Sequence, residues 1–180
     1  MRLELRPPPV LARHVHRGGS GAVELARPFR TYIDVGIRTC SLHDLPALEW
    51  WGMYGSERPL IRETFEAQQR GEAMMLVAVS DDFPVGQAWL DLVRDPVGTR
   101  AFLWAVRVLP GMRRAGIGRR LIESAETVAR MRGFSAAVIS VEPSNPRARA
   151  LYERLGYHAL RDRSSWPESE RGQTLLQKSL

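Results

Sequence analysis

The chain has 180 residues, enough for one domain, and its 44% hydrophobic and 26% charged composition is that of a folded globular protein. A single cysteine, Cys40, cannot close an internal disulfide, which suits a reducing compartment and a cytoplasmic protein. The longest unbroken apolar run, Ala73 to Val79, is seven residues, and a membrane-spanning helix takes about 20, so no spanning helix and no membrane partner are expected.

The formal net charge is +6, and Lys178 is the only lysine among 26 basic residues. Six arginines against Glu4 and Glu24 put +4 of that charge in the first 30 residues. The remainder is mildly basic, so no specific nucleic-acid groove is expected. The sharper clue is local: Arg113-Arg114 and Arg119-Arg120 flank a pair of glycines.

Residues 1–30 hold Pro7-Pro8-Pro9 and Gly18-Gly19-Ser20-Gly21 with no sustained apolar period, and are read as a flexible extension. Residues 31–180 are read as the folded domain. Ile33, Val35 and Ile37 alternate with polar or small residues, a strand signal. Ser41 or Asp44 can cap a helix carrying Leu45, Leu48, Trp51 and Met53, weakened at its end by Gly52 and Gly55. A second helix covers Leu60 to Gln69. Three strands follow, Met74–Ser80, Val85–Val93 and Ala101–Leu109, joined by turns at Asp81–Pro84 and Asp95–Gly98.

The pattern then changes. Ile117, Leu121, Ile122, Ala125, Val128 and Ala129 form a helical stripe, with Arg119–Glu123 and Glu126–Arg130 pairs expected on its outer side. Ala136–Val141 reads as a strand buried on both faces. Asn145 caps a helix from Pro146 to Gly156, and strands at Tyr157–Arg161 and Thr174–Leu180 close the chain. The strand–helix–strand unit needs a parallel crossover, so the sheet must be mixed. The fold class is α/β, one domain with a mixed, mostly antiparallel sheet flanked by helices.

Two segments carry chemistry. In the first, Val106 to Gly118, a strand ends, a glycine-bearing loop follows and a helix begins. Free backbone N–H groups and the dipole at a helix start attract phosphate, and Gly116 and Gly118 allow close approach. A Walker loop would need lysine where Arg119 stands, and a dinucleotide fingerprint would need glycine where Leu121 stands, so both familiar nucleotide loops fail. In the second, Asn145 and Tyr152 lie seven residues apart on one helix face. On geometry alone Tyr152 reads first as a packed core tyrosine. His14, His16, His43 and His158 show no metal-ligand spacing, and no metal is expected.

Together the two segments resemble the GNAT N-acetyltransferase superfamily. Its acetyl-coenzyme A loop, Arg/Gln-x-x-Gly-x-Gly/Ala, is met by Arg113, Gly116 and Gly118. Its following motif is met by Asn145, Ala148, Leu151-Tyr152 and Gly156-Tyr157. The resemblance implies an acetyl-coenzyme A–dependent N-acetyltransferase acting on a primary amine by direct attack on the thioester. It further implies that Val106, Arg107 and Val108 hold the pantetheine arm, mainly through backbone groups. Arg113, Arg114, Ala115, Gly116, Ile117, Gly118 and Arg119 would cradle the pyrophosphate, Asn145 would bond the arm, and Tyr152 would be the general acid. Some members carry a glutamate base where this chain has Phe102, which moves the role of base to Glu142, then Asp91, then a water relay. The residues alone read Glu142 first as a solvated or cap-satisfying carboxylate. The acceptor expected is a small-molecule amine, with a peptide amine (N-terminus or lysine) as runner-up. A homodimer is compatible with the sequence, and a non-catalytic acyl-coenzyme A–binding module is the rival from another class.

Overall fold

The computed structural model describes residues 2–4, 32–160 and 173–180. The short strands β1 (Arg2–Glu4) and β2 (Tyr32–Asp34) pair antiparallel, Leu3 opposite Ile33. Within the extension read as flexible, the backbone of Arg2–Glu4 pairs with β2. The rest of that extension lies outside the described residues.

The main sheet contains β3 (Gly36–Thr39), β4 (Ala73–Ser80), β5 (Phe83–Asp91), β6 (Arg100–Val108), β7 (Ala136–Val141), β8 (His158–Ala159) and β9 (Thr174–Ser179), in the order β3-β4-β5-β6-β7-β9-β8. Only β6 and β7 are parallel, joined by the crossover helix α2 (Ile117–Met131); every other pair is antiparallel, as the strand–helix–strand pattern requires. The expected strand at Tyr157–Arg161 is shorter, β8, and position 161 lies outside the described residues. No described helix is long and apolar enough to cross a membrane.

Helix α1 (Arg58–Gln69) packs on β4, and α2 packs on β5 and β6. Ile117, Leu121, Ile122, Ala125 and Ala129 of α2 bury against Leu90, Leu103 and Ile139, together with Tyr152 of α3 (Pro146–Arg154). The other face buries Leu48, Ile61, Met75, Val77 and Trp89. Gly86 sets how closely α2 sits: a Cβ there would lie 3.0 Å from Leu121 and 3.1 Å from Ile117.

Two expectations are corrected. The segment read as a first helix is instead a 3-10 turn at Leu42–Ala47, a left-handed pair at Trp50 and Trp51 (φ 43° and 55°), and a second 3-10 turn at Gly55–Glu57. Pro46 and the glycines prevent a longer helix. Leu48 and Trp50 are buried there, with Trp50 Nε1 donating to the Pro84 carbonyl at 2.7 Å, while Trp51 is 78% exposed and stacks on Phe83. Glu126 is not on the outer side of α2. It is buried and receives Lys178 Nζ at 2.7 Å, because β9 brings that lysine across the sheet.

The 3-10 segment is anchored by Asp44, buried and held by both Arg38 Nη atoms at 2.7 and 2.8 Å and by the Ser41 N–H and hydroxyl. The Arg38 hydrogen bond, ahead of the Ser41 bonds, brings its carboxyl down to about 2. A carboxyl lowered on folding stabilises above its unfolded value and loses that contribution as pH falls. Asp44→Asn should cost about 1–2 kcal/mol in urea melts at pH 6, with the gap from wild type closing between about pH 4 and pH 2. Gly86→Val should cost more, about 1–3 kcal/mol by the same melts, because α2 must be pushed away from β5.

Candidate active site

Strands β6 and β7 pair only from Arg100 opposite Ala136 to Leu103 opposite Ile139. Beyond Leu103 they part, and a cleft of about 970 Å³ opens between Trp104–Val108 on one side and Ser140, Val141 and Glu142 on the other. The β5–β6 register shows the cause on the β6 side: Trp89 faces Trp104, but Gln87 faces Arg107, so β6 carries one extra residue. Ala105, with φ 50°, is in that bulge.

The bulge resets which way β6 side chains point. Leu103 and Val106 are three residues apart, yet both pack into the core under α2, together with Val108. Arg107 is thereby sent to the opposite face. Leu109 N–H donates to Val85 at 2.9 Å, which makes Gly86 and Val108 a non-hydrogen-bonded pair. The backbone of Val108, and by alternation that of Val106, is directed away from β5 to the open side. The Val108 carbonyl accepts Arg113 Nε at 3.0 Å, and its N–H points to the cleft side.

At the mouth of the cleft, Gly116 (φ 85°) turns the chain into α2, whose first turn has no side-chain cap. A side chain at Gly116 would meet nothing within 4 Å, and one at Gly118 only the Val108 methyl at 3.6 Å, so bare backbone is presented there. Arg113 and Arg114 line the cleft, joined by Arg147 from the start of α3. An uncapped helix start, bare glycine backbone and three guanidinium groups fit the pyrophosphate of a coenzyme A thioester, with Val106 and Val108 able to pair with an extended amide arm.

The structure separates the sequence candidates. Val106, Arg107, Val108, Arg113, Arg114, Glu142, Asn145 and Tyr152 all line the cleft. Ala115, Gly116, Ile117, Gly118 and Arg119 form the adjoining turn instead; Ile117 is buried against β5, and Arg119 pairs with Glu123 at 2.7 Å. Asn145 Oδ1 caps α3 by accepting the Ala148 N–H at 3.1 Å, which leaves its Nδ2 as the donor for a ligand. Asp91 receives the backbone N–H groups of Val93 and Arg94, and so shapes a turn outside the cleft. Arg107 is the surprise. Its guanidinium bonds Glu57 at 2.6 Å and stacks 4.2 Å over Tyr54, away from the α2 side. Sequence reasoning reads Tyr54 mainly as core and does not single out Glu57, Trp104 or Arg147; the places of Tyr54, Glu57 and Trp104 in the cleft depend on the bulge and on the irregular 50–57 turn.

Tyr152 is 6% exposed, and burial pushes its phenol up to about 12. At neutral pH it is a hydrogen-bond donor in the wall of the cleft. Its ring leans on Tyr157 at 6.2 Å. Among the described residues, no group of three or more His, Cys, Asp or Glu is placed to hold a metal ion.

A sequence model of the acetyltransferase (GNAT) family matches residues 39–157, most of the chain and all of the cleft-forming elements. The chain belongs to the GNAT family. Its co-substrate is acetyl-coenzyme A, and it is an N-acetyltransferase. Among GNAT relatives, it is 29% identical over 136 residues to [Ribosomal protein bS18]-alanine N-acetyltransferase of Salmonella typhimurium, a match covering 76% of this chain and 89% of the relative. It is 38% identical over 69 residues to mycothiol acetyltransferase of Beutenbergia cavernae, covering 38% of this chain and 22% of that one. Among solved GNAT folds, PaiA N-acetyltransferase from Thermoplasma acidophilum, in complex with coenzyme A, superposes with a TM-score of 0.63 at 18% identity, covering 82% of this chain and 99% of that one.

Gly116→Glu should leave the fold intact, since its side chain has open space, though the left-handed backbone costs about 1–2 kcal/mol. Its carboxylate at the helix start should weaken acetyl-coenzyme A binding by about tenfold or more in calorimetry.

Proposed function

We propose that this GNAT enzyme acetylates the α-amine of a protein or peptide N-terminus, by direct attack of that amine on the thioester of acetyl-coenzyme A. The observation that carries the attack on the thioester is that Tyr152 and the outward-facing Val106 and Val108 backbone line one cleft where β6 and β7 part. A cytoplasmic setting goes with it, on the strength of one unpaired, buried thiol at Cys40.

The acetyl thioester supplies the activated carbonyl. Attack on it moves negative charge first to the carbonyl oxygen and then to the departing sulfur. A backbone N–H directed from β6 can hold the first charge. Tyr152 can meet the second. A phenol near 12 is a weaker acid than a thiol near 8.5, so full transfer to a free thiolate is uphill by about 5 kcal/mol. Tyr152 therefore acts chiefly by donating a hydrogen bond as charge develops on sulfur, and the thiol's final proton comes from the amine. The protonated amine gives up two protons; one ends on the thiol and one in solvent.

The acceptor class follows from the missing base. Phe102 stands where a glutamate would serve, and no acid lies between Ala101 and Met112. At pH 7 roughly one α-amine in ten is already unprotonated, against fewer than one lysine side chain in a thousand. A site without a strong base on β6 therefore suits an α-amine, in keeping with the alanine N-acetyltransferase relative. Glu142, exposed at the cleft edge and accepting Ser144 Oγ at 3.4 Å, is the carboxylate that would pass the leaving proton to water. A small-molecule primary amine is the second reading, favoured by the match to mycothiol acetyltransferase. Thiol release with an alanine-first peptide, a lysine peptide blocked at its N-terminus and a panel of small amines decides between them. Activity confined to small amines overturns the first reading.

Tyr152→Phe should lower kcat roughly 10²–10³-fold, the loss of one donor to developing charge, while leaving acetyl-coenzyme A affinity and thermal stability nearly unchanged. The comparison is a stopped assay of kcat beside a calorimetric Kd on the same variant. A purely packing role predicts intact turnover instead.

A further inference from the structure

We infer that Glu57 receives the protonated amine of the acceptor, positioned for it by Arg107. This rests on the reading that the chain acetylates a peptide α-amine, and it names the group that recognises that amine.

The cleft passes through the sheet. Asn145, Ala148 and Tyr152 line it from the α2–α3 side, whereas Tyr54, Glu57 and Leu60 line it from the α1 side. Five arginines line it as well (Arg94, Arg107, Arg113, Arg114 and Arg147), so a cationic acceptor is disfavoured except beside a carboxylate. Among the described residues two carboxylates line it, Glu57 and Glu142. Glu142 lies three residues before Asn145, on the side of the arginines and helix starts that suit phosphate. Glu57 sits apart from them, at the start of α1, walled by Tyr54, Leu60 and Trp104.

The hydrogen bonding of Glu57 favours this role. Its Oε2 accepts Arg107 Nη2 at 2.6 Å, and Oε1 has no protein partner among the described residues. The side chain is 27% exposed, so Oε1 is open to a ligand. Arg107 is itself fixed, stacked over Tyr54 at 4.2 Å and near Trp89 at 5.9 Å. It belongs to the stretch of β6 that includes Val106, so the pair ties the amine-binding oxygen to the strand beside the thioester site. An ammonium offers three donors and needs oxygen acceptors, and a carboxylate with one oxygen spoken for and one open supplies them in a set direction. The ion pair is neutral overall. Recognition is therefore short-range hydrogen bonding, with little long-range steering.

The test is a double-mutant cycle on binding, without turnover. An alanine-first hexapeptide and its lactyl counterpart, with hydroxyl in place of the terminal amine, are titrated calorimetrically into enzyme saturated with desulfo-coenzyme A. Wild type should favour the amine by about tenfold or more, the size expected of one hydrogen bond to a charged group. In Glu57→Gln that preference should fall close to one, while Glu57→Asp should keep part of it and desulfo-coenzyme A affinity should stay the same. If Glu57→Gln fails to fold, Glu57→Ala serves in the same comparison. A preference unchanged in the variant overturns this inference alone. A wild-type enzyme that binds neither peptide overturns the peptide-acceptor reading and this inference with it.

Discussion

One extra residue in β6, at Ala105, governs the cleft. Were Ala105 taken into regular alternation instead of bulging, it and Arg107 would face α2, and Val106 and Val108 the other face. With the bulge, the valines stay in the core and the guanidinium turns outward to Glu57. The same irregularity lies where pairing with β7 has stopped, so backbone groups that a partner strand would have taken remain for a ligand. The cost is a positive φ at a residue with a Cβ, of order 1–3 kcal/mol, offset by the ladders on either side.

The two faces of the sheet thus divide the work. Helices α2 and α3 begin beside the opening and bring the glycine turn, the arginines and Tyr152 to one face. Their approach depends on Gly86, whose missing side chain lets Leu121 and Ile117 rest on β5. The 3-10 turns and α1 bring Tyr54 and Glu57 to the other, held in place by Asp44 with Arg38 and by Trp50 with Pro84. A transfer between two substrates needs both to reach one point without colliding, and a gap through a sheet lets each arrive from its own side.

Regular elements were legible in the sequence because period and punctuation agree in them. The α2 stripe, the cap at Asn145 and the apolar β7 run all stand where the pattern puts them. The glycine turn and Tyr152 were legible because they lie within local motifs. What was not legible depends on tertiary contacts. Ala105 looks like any strand residue, and only the register against Gln87 and Trp89 shows that it bulges. The segment around Trp50 and Trp51 carries helical spacing, but burial of Trp50 and capture of Asp44 by Arg38 override that propensity. Glu57 and Arg107 are 50 residues apart, so nothing local announces the pair.

The Glu126–Lys178 contact has a consequence for an enzyme whose chemistry is directed at amines. Lys178 carries the only ε-amine of the chain, and its nitrogen is bound to a buried carboxylate beside the Tyr157 ring. An ammonium held that way must leave its partner and lose a proton before it can act as a nucleophile. Every other basic side chain apart from the histidines is arginine, whose guanidinium does not deprotonate in a protein. The enzyme therefore resists self-modification at its own side chains.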